Sequence, residues 1–380
     1  MVKKTLPLFT VLMLAALLLV VTDSLYLFKA IQITWLRGQT DVDIYDFEAS
    51  QTRTIKTEKS KPWILHKDYN KVGLSNKAAN ILDDSKTTAF IIIKGGKILT
   101  EKYFDEGAVD KLSQVWSVTK TYTSFALLKA VEDGLIESID DPVHKYIPEW
   151  TAKKELTLRY LALMSAGLAW NERDHTPFAR IARFNFHDDL EKLSIYDLPS
   201  MEEAGKVQHY NSGGTQLLGT VINRVLKDKT LTDYISEKFW GPLGYEYQGQ
   251  YIIDSEESGN EKSFGGMAAT ARDISRLGQV LLDDGKWEGQ EFFSSKQMET
   301  IKTIPYNNKT YAYGLWTGVY NGNRFYMQKG VKGQICITYP AGNLVITRFG
   351  HKLNDENFEV ESIPQDVTNY IEEAIRISAI

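Results

Sequence analysis

Short β-branched runs stand at both ends of the body of this 380-residue chain, and helix-spaced segments fill the long interval between them. Phe90-Ile91-Ile92-Ile93 and the run 97–104 flank Gly95-Gly96, a pattern that predicts a β-hairpin closed by a glycine turn. Comparable runs return only at 311–320, 323–328, 334–339 and 343–350, with Pro340-Ala341-Gly342 as a turn between the last two. In the interval, Phe125, Leu128 and Val131 recur at helical spacing and stop at Gly134. Segments 155–164, 213–227 and 270–283 also read as helices, and 366–380 reads as a closing amphipathic helix. Strands so far apart share a core most economically when both halves return to one sheet. The expected fold is α/β of the α+β type: an antiparallel sheet built from both halves of a body at 85–380, flanked by helices, with a helical lobe inserted over about 121–265.

The N-terminus is of a different character. Residues 6–21 follow Lys3 and Lys4 without a charge, and after Asp23 the apolar character resumes over Leu25–Phe28. This predicts a signal-anchor or transmembrane segment over 1–28, with Asp23 at an interface and the body outside the cytoplasm, in the periplasm. A cleaved signal that releases a secreted protein is the second reading, although no small-x-small cleavage site follows the run. Residues 29–84 read as an extended lead that wraps the body. Asn308-Lys309-Thr310 matches the glycosylation triplet, a pattern short enough to arise by accident.

Charge and composition exclude several classes. Acidic residues number 49 against 44 basic ones and no basic block occurs, so nucleic acid is not an expected partner. A single Cys336 and six histidines give little material for a metal site, and no metal or organic cofactor is expected. The G-x-S-x-G elbow, zinc helix, phosphate loop and dinucleotide fingerprint are all absent.

Ser117-Val118-Thr119-Lys120 stands where strand pattern gives way to helix. A serine in the first helical turn lies near free backbone N–H groups, and Lys120, three residues on, shares its face. A neutral Lys120 could take the serine proton, or a charged one could stabilise a phenolate. Tyr210, just before a helix, could relay a proton if Lys120 lowers its pKa; His209 is the rival base. Gly330 and Gly333 permit close approach of a substrate to a strand whose amides could bind an oxyanion. Taken alone, S-x-x-K also fits a helix cap followed by a solvated lysine.

The ordered series 89–104, 116–150, 156–172, 209–219, 239–244, 265–289 and 330–346 resembles the serine beta-lactamase/penicillin-recognising hydrolase superfamily. It is most similar to the branch of 6-aminohexanoate-dimer hydrolases, class C beta-lactamases and related esterases. The resemblance covers about 85–350 and the closing helix. It implies a beta-lactamase/transpeptidase-like fold and a serine hydrolase that cleaves an amide or ester of a small molecule or short peptide through an acyl-enzyme. Ser117 would be the nucleophile, Lys120 its activator and Tyr210 the proton relay. Gln328-Lys329-Gly330 would replace the third, Lys-Thr-Gly-type box, with the Val331 amide in the oxyanion hole; a competing alignment places Lys332-Gly333-Gln334 there. Gln328, Gly330, Glu172 and Ser212 would face substrate, Ser212 standing where the family's Tyr-x-Asn box has its asparagine. The same resemblance leaves open a D-alanyl-D-alanine carboxypeptidase, endopeptidase or beta-lactamase, and a noncatalytic envelope protein.

Overall fold

A computed structural model describes residues 8–174, 176–305, 310–353 and 364–379; Asn308 and Lys309 of the glycosylation triplet lie outside them. Seven antiparallel strands form the main sheet in the order Lys97–Tyr103, Thr87–Lys94, Leu344–Gly350, Gln334–Tyr339, Asn323–Gly330, Leu315–Tyr320 and Tyr311–Ala312. The two halves of the body meet in the register Ile92 opposite Ile346. Gly95 and Gly96 have φ of +54° and +76°, the paired left-handed values that a two-residue hairpin turn requires.

Strand alternation divides the core into two layers. Phe90 and Ile92 pack with Tyr370 and Ile371 of the closing helix Gln365–Ser378 and with Leu82 of the helix Asn76–Asp84. Ile91 and Ile93 face the other way, toward Ile274 and Leu277 of Ala271–Leu282 and Phe125 of Thr119–Glu132. The helical elements between the two strand groups include Arg180–Phe186 and Ser212–Leu226.

A second, four-stranded sheet orders Thr52–Ile55, Gly249–Ile252, Met267–Ala269 and Ser113–Gln114. Strands of two to four residues carry too little alternation to be read from sequence. Through this sheet and the helix Asn76–Asp84, the lead over 29–84 gains regular structure and is tied to the body.

The N-terminal apolar run does not continue to Phe28 as one helix. Leu8–Val21 ends before Asp23, which has φ +54° and accepts hydrogen bonds from Arg183 at 3.0 Å and His187 at 3.2 Å. A carboxylate paired with an arginine of the body cannot continue an apolar span. The next helix, Tyr26–Ile33, buries Tyr26 and Ile33, and Tyr26 Oη donates to the Pro177 carbonyl at 3.0 Å. Among the described residues no helix is long and apolar enough to cross a membrane.

Candidate active site

Ser117 lies in the three-residue turn Trp116–Val118, which runs directly into the helix Thr119–Glu132. Neighbouring bonds pin this segment from both sides. Val115 N–H donates to the Met267 carbonyl at 2.8 Å, and Met267 N–H to Thr119 Oγ1 at 3.1 Å. Trp116 takes φ +49°, a left-handed conformation that costs a bulky residue about 1–3 kcal/mol. The strain falls on the residue immediately before Ser117.

The helical spacing that groups Ser117 with Lys120 is realised: Lys120 Nζ donates to Ser117 Oγ at 2.9 Å and to the Phe264 carbonyl at 2.8 Å. Lys120 is only 1% exposed. Burial lowers its pKa to about 8, against the opposing pull of the Glu172 carboxylate. An amine with that pKa is partly neutral near physiological pH and can accept a proton.

Tyr210 closes the group from above. Its ring stacks on Trp316 at 5.3 Å, meets Tyr311 edge-on at 5.7 Å, and lies 5.1 Å from Lys120 Nζ. The condition set for a Tyr210 relay, a pKa lowered by Lys120, is not met. Burial first, and Glu172 second, hold Tyr210 well above the ordinary phenol value, with only a hydrogen bond to Ser117 opposing them. Tyr210 is therefore a neutral phenol, and Lys120 is the group whose pKa burial brings down. His209 stands apart, its ring bonded to the Trp170 carbonyl at 2.9 Å.

The segment after Tyr210 folds for a local reason. Asn211 caps the helix Ser212–Leu226 by accepting from Gly214 N–H at 2.8 Å, which turns Ser212 toward Glu172. Ser212 Oγ and Trp170 Nε1 both donate to the Glu172 carboxylate, and Ser212 N–H donates to it at 3.2 Å. Glu172 and Ser212 thus form one unit on the cleft wall.

The strand Asn323–Gly330 ends against Ser117. A Cβ on Gly330 would fall 2.2 Å from the Val115 carbonyl oxygen and 3.2 Å from Ser117 N, so only glycine permits this approach. Val331 follows and lines the same cavity as Ser117. Gln328 is buried on the face that carries Cys336 and is not among the cavity's lining residues. Of the competing box, Lys332 pairs with Asp41 at 2.6 Å, and Gly333 packs against Arg348 rather than against Ser117.

The cavity holding Ser117 has a volume of about 840 Å³. Glu172, Ser212, Phe264 and Gly265 line it, and Leu27, Ala30 and Ile31 add an apolar wall. Sequence reading missed that wall, although its spacing was visible. It also missed Trp116 and the Phe264 carbonyl; neither backbone strain nor a carbonyl's direction leaves a mark in side-chain identity.

The family model described as Beta-lactamase matches residues 77–365. The 6-aminohexanoate-dimer hydrolase of Paenarthrobacter ureafaciens is 24% identical over 232 residues, 58% of this chain and 58% of that protein. A Bacillus anthracis protein, provisionally assigned as a 6-aminohexanoate-dimer hydrolase, shares the fold with a TM-score of 0.70 at 20% identity, over 88% of this chain and 91% of the other. A family VIII carboxylesterase does so with a TM-score of 0.63 at 18% identity, over 83% and 99%. The chain spans about half the length of the curated relatives it matches, 46% and 58% for two of them.

Proposed function

The chain belongs to the Beta-lactamase family of hydrolases, and from that premise we propose that it cleaves an ester or amide through an acyl-enzyme on Ser117. The observation that carries this is the 2.9 Å contact between Ser117 Oγ and a buried Lys120 whose pKa lies near 8. Neutral Lys120 takes the Ser117 proton as Oγ attacks the carbonyl carbon. The negative charge that develops on the carbonyl oxygen is met by backbone N–H groups of Ser117 and Val331, which border one cavity. Tyr210, held neutral, passes a proton to the departing alkoxide or amine and recovers it from Lys120. Water then cleaves the acyl-enzyme and returns the proton to Ser117 Oγ. The names of the 6-aminohexanoate-dimer hydrolase and carboxylesterase relatives fit amide and ester chemistry in turn.

Domain assignment and location belong to the same proposal. The hydrolase domain includes residues 23–33, because Asp23, Tyr26 and Ile33 are fixed to the body. A mature chain cut after the apolar run would keep these contacts. The helix Leu8–Val21, apolar and exposed at Met13, Leu14, Leu17 and Leu18, holds the uncleaved protein at a membrane with its hydrolase domain on the outer side.

The test compares wild type with Ser117→Ala on panels of activated esters and short amides. Turnover confined to wild type supports the reading. Equal turnover by both proteins removes Ser117 from the chemistry.

A further inference from the structure

The helix Tyr26–Ile33 has two apolar faces and uses only one of them to fold. Tyr26 and Ile33 are buried against the body. Leu27, Ala30, Ile31 and Thr34 fall at i, i+3, i+4 and i+7, one continuous stripe, and all four line the cavity that holds Ser117. Ile181, Ala182 and Phe186 of the helix Arg180–Phe186, which packs directly against Tyr26–Ile33, line the same cavity. The apolar wall also reaches the surface. Ile31 is 43% exposed and Trp35 is 71% exposed, yet both border the cavity.

Charge narrows the ligand further. Among the described lining residues the charged side chains are Asp41, Glu172 and Asp174, and no lysine or arginine is present. Lys120 sits beneath this lining, bonded to Ser117 and the Phe264 carbonyl. Lys332 beside the lining is already paired with Asp41 at 2.6 Å, so a ligand carrying a free carboxylate would meet a lining whose own charges are acidic. An uncharged hydrocarbon chain would instead be removed from water along the full stripe.

We propose that the substrate's acyl group is an uncharged apolar chain lying along the wall that the helices Tyr26–Ile33 and Arg180–Phe186 form together, so that the N-terminal lead is part of the substrate site. This rests on the serine-hydrolase reading above. In the corresponding reaction Ser117 Oγ bonds to the acyl carbon, the carbon–oxygen bond to the alcohol breaks, and the alcohol leaves with the serine proton. Water then adds to the acyl carbon, releasing the fatty acid and restoring the Ser117 hydroxyl.

The full chain is assayed with p-nitrophenyl acetate, butyrate and octanoate, each below its aggregation concentration. The expected octanoate-to-acetate ratio of kcat/KM is about tenfold or more. Ala30→Trp, which fills the stripe, and Ile31→Asn, which replaces an apolar side chain by a smaller polar amide, should each bring the ratio toward one. Val319→Asp, at an exposed strand position outside the cavity, should leave it unchanged. A wild-type ratio near one with turnover that still requires Ser117 overturns the apolar-chain proposal alone. So does an unchanged ratio in folded Ile31→Asn. Turnover of all three esters that survives Ser117→Ala overturns the underlying serine reading instead.

Discussion

Replacing Glu172 by glutamine should move the alkaline activation of the enzyme to lower pH. Lys120 is protonated when the cleft is idle and must be neutral to accept the Ser117 proton. With a pKa of about 8, roughly one-tenth of the molecules carry the free amine at pH 7 and half at pH 8. The acylation rate of wild type should therefore rise about fivefold over that interval and level off above pH 9. Glu172 is the charge that opposes the effect of burial, holding the proton on Lys120. Glutamine removes the charge while retaining a similar shape: its carbonyl can accept from Trp170 Nε1 and Ser212 N–H, and its amide can donate to Ser212 Oγ. The variant should show a smaller gain between pH 7 and 8 because more of its Lys120 is already neutral. Inactivation by a fluorophosphonate, followed as a second-order rate against pH, reads the acylation step directly. A limb that stays in place, or moves to higher pH, would show that Lys120 is not the group that titrates.

Three further outcomes follow from the same geometry. Lys120→Met should abolish acylation yet stabilise the fold at pH 7 by up to about 3 kcal/mol, because a pKa lowered from 10.5 to about 8 measures the cost of burying the ammonium. The unfolded chain binds more protons between those values, so wild type gains stability as pH rises through them and the variant's advantage shrinks; urea unfolding at several pH values checks the sign. Tyr210→Phe should reduce amide turnover by about 10²–10⁴-fold but acylation by p-nitrophenyl esters far less, since nitrophenolate leaves without a proton; equal losses would contradict the relay. Gly330→Ala places a methyl 2.2 Å from the Val115 carbonyl and should cost at least about 1–3 kcal/mol with loss of acylation, measured by denaturation and labelling together.

The parts of the molecule that sequence made legible are those set by local pattern. Short β-branched runs around Gly95-Gly96 marked the hairpin, and i to i+3 spacing placed Lys120 beside Ser117. The ordered family motifs brought in Tyr210 from within the helical interval. The small sheet was invisible because Thr52–Ile55 acquires strand geometry only by pairing with Gly249–Ile252, far away in the chain. Asp23 looked like an interruption in one apolar segment, but Arg183 and His187 make it the point where that segment turns onto the body. The direction of the Tyr210 shift was not legible in the sequence for a similar reason. Proximity to Lys120 is a pairwise feature, whereas the burial that outweighs it comes from the whole surrounding fold, including Trp316 and Tyr311.

The central claim is the covalent bond on Ser117. Wild-type protein mixed with a slowly deacylating ester, quenched in acid and weighed intact, should gain the mass of one acyl group, mapped to Ser117 after digestion. Ser117→Ala should gain none. Turnover of that ester with no Ser117 adduct in rapid-quench samples, or with the acyl group on another residue, would contradict the account.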